Sequence, residues 1–222
     1  MKKKLVLAMA ATMAITSCAV PVLADDAAAE GGKIGISMPT QSLERWNRDG
    51  SYLEEQFKAA GFDVELTYSD NETDRQVNDI QNLISDGVNL LVIAAIDGEA
   101  LNTVMDEAAD AGIPVIIVDR MVDVSDDSLY TAWVGSNFKL EGQKAMAWLD
   151  AYLEAKGRGD EEINLVDIQG TIGASAQIGR TEGFDEAVEA HDNWTTLAQQ
   201  SGEFTQANGQ EVMESILKQS GD

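Results

Sequence analysis

Residues 115–120, Val-Ile-Ile-Val-Asp-Arg, decide the fold and supply the first candidate site residues. A continuous run of four β-branched residues is typical of a parallel strand buried on both faces. Asp119 and Arg120 follow this run, and open parallel sheets bind ligands at the carboxyl ends of their strands. A carboxylate accepts hydrogen bonds and a guanidinium donates them in a fixed fork, so the pair could grip adjacent sugar hydroxyls. A surface ion pair at the strand end is the alternative that this stretch alone leaves open.

Strand and helix patterns alternate along the rest of the chain. The predicted strands cover residues 33–38, 64–68, 90–95, 115–118, 130–135, 163–168 and 194–199. The predicted helices cover residues 43–60, 71–84 or 73–84, 100–111, 139–155, 175–189 and 205–218. Ser42 and Asn137 are the predicted N-caps of the first and fourth helices. A period of about 25–30 residues is close to one βαβ unit, so we predict an α/β fold with parallel sheets flanked by helices.

Charge limits the classes of partner. The 222 residues include 39 acidic and 15 basic side chains, which give a formal net charge of −24. Nucleic-acid binding needs a basic surface, so that function is disfavoured, as is docking on an anionic membrane. A strongly acidic protein remains compatible with neutral or cationic small ligands.

The N-terminus has the pattern of a secretory signal. A run of three lysines precedes an apolar segment at residues 5–15, which is shorter than the roughly 20 residues of a membrane span. Two cleavage sites compete: a lipobox-like sequence would make Cys18 a lipidated first residue, and an ordinary site follows Ala24. We assign residues 1–24 to the signal segment and 25–32 to a linker. The mature protein is expected outside the cytoplasm, in the periplasm or as a cell-surface lipoprotein whose only membrane contact is its lipid anchor.

The sequence lacks the motifs that would indicate a dinucleotide cofactor, a disulfide, a thiolate metal cluster or a P-loop. Residues 37–42, after the first strand, have none of the glycines of a dinucleotide turn, so no cofactor is predicted. A single cysteine excludes an intrachain disulfide and a thiolate metal cluster, and we predict no metal site. His191, the only histidine, lies in a polar stretch and is predicted to be an exposed loop residue. The glycine-bearing turn at residues 170–175 could cradle a phosphate, but it lacks the P-loop lysine and spacing, so a tight strand-to-helix turn is favoured.

Four stretches of the sequence, the last of them in two parts, resemble a known family. Residues 33–46, which include Lys-Ile-Gly-Ile-Ser-Met-Pro-Thr and Glu-Arg-Trp, resemble the first strand and loop of xylose- and multiple-monosaccharide-binding proteins. Residues 87–93 and 113–120 resemble the third and fourth strands of the same superfamily. Residues 167–180 and 202–205 are similar to ribose-binding and especially galactofuranose-binding proteins. In this order, the chain resembles a sugar-binding protein of an ABC transporter, from the ribose, galactose and xylose type I periplasmic-binding-protein superfamily.

The resemblance implies a two-lobed fold with sugar bound between the lobes. Residues 33–135 would form the N-terminal α/β lobe, and residues 136–222 an incomplete C-terminal α/β lobe of a C-terminally truncated protein. A complete member adds a strand to the first lobe and further pocket residues from the second half. We therefore expect residues 25–222 alone to bind sugar weakly. Sub-micromolar monosaccharide affinity in isothermal titration would contradict that expectation.

The resemblance also implies the site residues. The contacts expected from the first lobe are Gln41, Arg45, Trp46, Asp119 and Arg120. Those expected from the second lobe are Arg180 and Phe204, with Gln169 and Thr171 as weaker candidates. An aromatic face matches the C–H face of a sugar ring, so Trp46 is the expected stacking platform unless it packs in the core, and Phe204 would close over the ring. The remaining tryptophans, Trp133, Trp148 and Trp194, are expected in the core.

The function implied is capture of a monosaccharide, a pentose or hexose with the furanose form included, and its delivery to an ABC transporter permease. A sensor subunit that presents sugar to a chemoreceptor or histidine kinase is the alternative. A secreted carbohydrate enzyme is disfavoured, because glycoside hydrolysis needs two carboxylates and an arginine neighbour makes Asp119 a poor general acid. A repressor of the same fold would carry an N-terminal helix-turn-helix instead of a signal segment.

Overall fold

A computed structural model describes residues 31–220, which form two parallel sheets with helices packed against them. The strands are β1 (Lys33–Met38), β2 (Asp63–Tyr68), β3 (Leu90–Ile93), β4 (Val115–Val118), β5 (Ala132–Val134), β6 (Ile163–Gln169) and β7 (Trp194–Ser201). The helices are α1 (Glu44–Ala59), α2 (Thr73–Ser85), α3 (Asn102–Asp110), α4 (Phe138–Ala155), α5 (Ser175–Glu189) and α6 (Gln206–Ser220). The signal segment, Cys18 and most of the linker predicted above lie outside the described residues.

The first sheet has the strand order β2-β1-β3-β4-β5, and the second pairs β6 with β7. Every pairing within them is parallel, which confirms the predicted α/β fold class. We call the first sheet with α1 to α3 the first lobe, and α4 to α6 with the second sheet the second lobe. Ser37 pairs with Ile93, and Ile93 with Ile117. The loops that follow β1, β3 and β4 therefore all leave the sheet at the carboxyl ends of its strands.

The first lobe has an apolar cluster on each face of its sheet. On the α1 face, Ile36 and Met38 of β1 pack with Trp46, and on the other face Leu91 and Ile117 pack beneath α2 and α3. The prediction that β4 is buried on both faces is only partly correct. Val115 and Ile117 are buried on the face that packs against α2 and α3, whereas Ile116 and Val118, on the α1 face, are half-buried.

The second lobe has a single, smaller apolar cluster, centred on Phe184 and Trp194. Helices α4 and α5 approach backbone to backbone, because glycines face the partner helix. A β-carbon at Gly183 would lie 2.5 Å from the amide nitrogen of Gln143. At the start of α4 the Asn137 side chain accepts a 3.0 Å hydrogen bond from the Leu140 amide, as the cap prediction required.

Some local predictions were wrong. Ser42 does not cap α1, because the helix begins at Glu44 and the Ser42 hydroxyl lies 3.0 Å from that of Thr40. Trp194 is buried as expected, but Trp133 and Trp148 are 38% and 66% exposed, since they lie on the edge strand β5 and the solvent face of α4.

His191 also differs from its prediction. It is partly buried rather than exposed, because its ring stacks on Trp194 at 3.9 Å between centroids. The Nδ1 atom lies 2.7 Å from the carbonyl oxygen of Ala187 in α5. His191 therefore belongs to the packing of the second lobe.

Candidate functional site

The two lobes touch through the loops at the carboxyl ends of their sheets. The Gly98 amide donates to the Gly173 carbonyl at 3.2 Å, and the Met121 amide donates to the Ser175 hydroxyl at 2.8 Å. Gly173 and Ser175 belong to the glycine-bearing turn that follows β6, and Gly173 has a φ of 85°. The turn is therefore a tight strand-to-helix connection whose polar groups contact the first lobe, which fits the favoured prediction rather than a phosphate cradle.

A cavity of about 180 Å³ lies between the lobes beside these contacts. From the first lobe it is lined by Leu43, Glu44, Arg45, Trp46, Asp119 and Arg120, and from the second by Ala176, Arg180 and Phe204. The structure thus brings six of the predicted contacts together: Arg45, Trp46, Asp119, Arg120, Arg180 and Phe204. Glu44 lies beside them and was not predicted, although it is adjacent to Arg45 in the sequence.

Arg120 is the most buried charged group of this cavity, with 2% of its surface exposed. Its guanidinium carbon lies 5.0 Å from the ring centroid of Trp46 and 4.9 Å from that of Phe204, so aromatic rings from both lobes flank it. Burial lowers the pKa of Arg120 to about 10, and the positive charges of Arg45 and Arg180 act in the same direction while Asp119 opposes them. Arg120 therefore remains charged at neutral pH.

Asp119 pairs with Arg45, and not with its sequence neighbour as the strand-end ion pair would require. Its carboxylate accepts a 2.6 Å hydrogen bond from Nη2 of Arg45. The backbone at Asp119 is left-handed, with a φ of 57°, and its carbonyl accepts from the indole nitrogen of Trp133 at 3.1 Å. This turn separates the two side chains, because the Asp119 carboxylate points to Arg45 while Arg120 turns inward. Burial alone would lower the pKa of Arg45, but the hydrogen bond and charge of Asp119 raise it overall.

The second lobe contributes Arg180 and Phe204. The Nε and Nη2 atoms of Arg180 each lie 2.9 Å from one carboxylate oxygen of Glu141, and its guanidinium lies 5.9 Å from the Phe204 ring. Glu203 and Phe204 both have left-handed backbones, with φ values of 53° and 57°. The Phe204 ring packs directly on Gly170, where a β-carbon would collide with it. Glycine at position 170 therefore makes room for the aromatic ring.

The other three predicted contacts lie elsewhere. Gln41 is exposed and does not line this cavity; its carbonyl accepts a hydrogen bond from the Asn47 side chain. Gln169 lines a neighbouring cavity of about 420 Å³ and donates to the Thr181 hydroxyl at 2.9 Å. Thr171 is buried, and its hydroxyl lies 3.4 Å from the Asn71 side chain across the lobe boundary. Their roles in ligand binding remain predictions.

The cavity is equipped for a neutral hydroxylated ligand. Three guanidinium groups offer hydrogen-bond donors, two carboxylates offer acceptors, and two aromatic rings offer apolar faces. Across residues 31–220, no three or more His, Cys, Asp and Glu side chains are grouped so that they could hold a metal ion. In the same part of the chain, no helix combines the length and apolarity needed to cross a membrane.

A family profile described as "periplasmic binding protein domain" matches residues 34–222, and the chain belongs to this family. The chain is 35% identical over 158 residues to the galactofuranose-binding protein YtfQ of Escherichia coli strain K12, a match that covers 71% of the chain and 48% of that relative. It is 36% identical over 165 residues to the multiple sugar-binding periplasmic receptor ChvE of Rhizobium radiobacter, covering 74% of the chain and 45% of that relative. The chain thus spans about half the length of these relatives.

Solved structures give the same class of protein. The crystal structure of a galactofuranose-binding protein aligns with a TM-score of 0.74 and 31% sequence identity, covering 84% of this chain and 61% of that one. The periplasmic binding protein of the arabinose ABC transporter from Shewanella sp. ANA-3, bound to α- and β-L-arabinofuranose, aligns with a TM-score of 0.74 and 31% identity, covering 85% and 61%. The predicted periplasmic-binding-protein fold is confirmed by these alignments.

Proposed function

We propose that this protein captures a monosaccharide between its lobes outside the cytoplasm and delivers it to the permease of an ABC transporter. The observation that carries the proposal is the interlobe cavity in which rings from opposite lobes flank a buried arginine. Relatives named for galactofuranose and bound to arabinofuranose support a pentose or hexose ligand, with the furanose form included. A binding role without catalysis fits these names, and we extend it to this chain.

Each group of the cavity has a distinct task in this proposal. Arg120 and Arg180 donate to ring or hydroxyl oxygens, and Asp119 accepts from hydroxyls while its pair with Arg45 keeps both charged groups in place. Trp46 and Phe204 contact the C–H faces of the sugar. Binding at micromolar affinity requires about 8 kcal/mol. Hydrogen bonds to charged groups contribute roughly 1.5–3 kcal/mol each, so three or four of them with the ring contacts offset the entropy lost on binding.

Closure of the lobes links binding to delivery. Because ligand groups come from both lobes, an open form would hold only half of the contacts, and sugar would favour the closed form. The permease would recognise that closed form. Anchoring through Cys18, or release after cleavage at Ala24, would decide whether the protein is tethered or free.

Sugar sensing is the second candidate. The name of the ChvE relative describes a receptor, which favours a role in presenting bound sugar to a signalling partner. The binding step is the same in both functions. A sugar-dependent pull-down with permease or with a chemoreceptor would separate them.

The test of binding compares two carboxylates that contact the same arginine. Asp119 faces the cavity, whereas Asp49 accepts from Nε of Arg45 at 3.1 Å and does not line the cavity. Saturation-transfer NMR with D-ribose, D-xylose, L-arabinose, D-galactose and D-glucose detects weak binding, and isothermal titration with the same sugars detects binding that is too tight for saturation transfer. We expect Asp119→Asn to weaken binding about tenfold and Asp49→Asn to change it less than about twofold, because only the first loses a charged hydrogen bond to sugar. The absence of a signal for every sugar would overturn the proposal.

A further inference from the structure

Glu141 stands outside the cavity but holds one of its arginines. It lies in the first turn of α4, and one of its carboxylate oxygens accepts from both Nε and Nη2 of Arg180 on α5 at 2.9 Å. Arg180 lines the cavity, whereas Glu141 does not. Any effect of Glu141 on a ligand there must therefore pass through the Arg180 side chain.

The packing of α4 on α5 fixes this pair at close range. A β-carbon at Gly179 would lie 2.9 Å from the Lys139 amide nitrogen, and one at Gly142 would collide with the Arg180 carbonyl. The two helix backbones thus touch on both sides of the ion pair. Phe138, one turn before Gly142, places its ring 5.1 Å from the Arg180 guanidinium. Arg180 is therefore held from α4 by a carboxylate and by a ring face.

The negative charge of Glu141 also offsets the repulsion between Arg180 and the other arginines of the cavity. Arg45, Arg120 and Arg180 converge on one small cavity, and the charges of Arg45 and Arg180 both help to lower the pKa of Arg120. Arg45 has Asp119 and Asp49 as partners, but Arg180 has Glu141 as its ion-pair partner among residues 31–220. Without that carboxylate, repulsion from Arg120 would favour rotamers that carry the Arg180 guanidinium out of the cavity.

We propose that Glu141 is a positioning residue, which holds the guanidinium of Arg180 in the geometry that a sugar in the cavity requires. The inference deepens the proposed function, because the sugar is the ligand that Arg180 would serve. The orientation of Arg180 can be measured without any ligand, so the two proposals can fail separately.

The structure provides a matched control on the same pair of helices. Lys139 of α4 and Glu186 of α5 form an ion pair at 2.5 Å, and neither residue lines the cavity. The Glu141 and Arg180 side chains are 39% and 44% exposed, and those of Glu186 and Lys139 are 47% and 44% exposed. Exposed pairs contribute little to stability, so Glu141→Ala and Glu186→Ala should both fold and melt within a few degrees of the parent.

The first experiment follows the Arg180 Nε–H group by NMR in the unliganded protein, with the signal assigned by its loss in Arg180→Lys. In the parent we expect a slowly exchanging signal, because Nε donates to the carboxylate. Glu141→Ala should accelerate its hydrogen exchange about tenfold or more, Glu141→Gln should retain part of the protection, and Glu186→Ala should leave it unchanged. An unchanged Arg180 signal in Glu141→Ala would overturn the inference.

The second experiment measures affinity for the sugar of the five-member panel that gives the largest saturation-transfer signal. We expect Arg180→Ala to weaken binding roughly 20-fold, through loss of a charged hydrogen bond, and Glu141→Ala roughly fivefold. In the Arg180→Ala background the Glu141→Ala change should have no further effect, because Glu141 acts only through Arg180. Equal losses from Glu141→Ala in both backgrounds would contradict the positioning role. If no sugar binds, the proposed function fails while the exchange experiment still decides the orientation of Arg180.

Discussion

The two lobes follow the same strand–helix plan but are packed in different ways. The first lobe seals its sheet with an apolar cluster on each face, and the largest fully buried side chains all belong to it. Within the described residues, the second lobe has two strands and one small cluster, and relies on close contact between α4 and α5. Trp46 and Arg120 are therefore held by the densely packed first lobe, whereas the position of Arg180 depends on the spacing between α4 and α5.

Matched isoleucines should reveal the largest difference between the lobes. Ile36 is fully buried in β1, and Ile163, at the start of β6, is 8% exposed beside the smaller cluster. We expect Ile36→Ala to lower the free energy of unfolding by about 4 kcal/mol and Ile163→Ala by about 2 kcal/mol, because the site at β6 is less enclosed. Urea denaturation combined with hydrogen exchange of each lobe measures both values. Equal losses at the two positions would break the comparison.

A methyl group between α4 and α5 should have the next largest effect. Gly183→Ala places a carbon 2.5 Å from the Gln143 amide nitrogen, so the helices must separate, at a cost of about 1–3 kcal/mol. Gly209→Ala in α6 is the control. Its added carbon meets only a methyl of Ile168 at 3.8 Å, and helix propensity should give up to about 1 kcal/mol of stability. Faster hydrogen exchange in α4 and α5 for Gly183→Ala, with slower exchange in α6 for Gly209→Ala, is the expected result; destabilisation by both would contradict it.

The smallest effect concerns a half-buried carboxylate at the edge of the second sheet. Burial raises the pKa of Asp167, although hydrogen bonds from Thr181 and Gln169 oppose the shift. Because the pKa of Asp167 is raised in the folded state, its contribution to stability is fully present in acid, below the unfolded pKa of about 3.8. That contribution to stability is lost as the pH rises through the folded pKa. We therefore expect Asp167→Asn to raise the melting temperature slightly at pH 7 and to lose this advantage near pH 3. An increase in melting temperature for Asp167→Asn that becomes larger at low pH would contradict this prediction.

Much of the fold could be predicted because its signals are local. Apolar runs and glycine stops located the strands and α-helices of residues 31–220 to within a few residues, although the short 3-10 helix at Asp127–Leu129 was not predicted. Asp119 was expected at a strand end because β4 ends in front of it. The partner of Asp119 could not be predicted in the same way. Arg45 lies 74 positions earlier, and only the register of β1 and β4 about the central strand brings the two side chains together.

The pair of Glu141 with Arg180 was missed for a related reason. Their contact spans 39 positions and depends on the glycine-mediated approach of α4 and α5, which no single helix pattern specifies. The exposed Trp148 was misjudged because size and apolarity favour burial, while the surface that a helix exposes is set by its neighbours. The sequence contained these residues, but their surroundings arise only from tertiary packing.

In the 222-residue chain, the exposed strand β5 affects how the molecule behaves in concentrated solution. It is the last strand of the first sheet within residues 31–220, and all three of its residues are exposed. Such an edge offers backbone groups to the edge of another molecule. The formal charge of −24 makes identical molecules repel one another. Salt screens this repulsion, because the Debye length falls from about 10 Å at 0.1 M salt to about 3 Å at 1 M. Colloidal stability should therefore be greatest in dilute buffer, and light scattering should detect growing assemblies as salt is added.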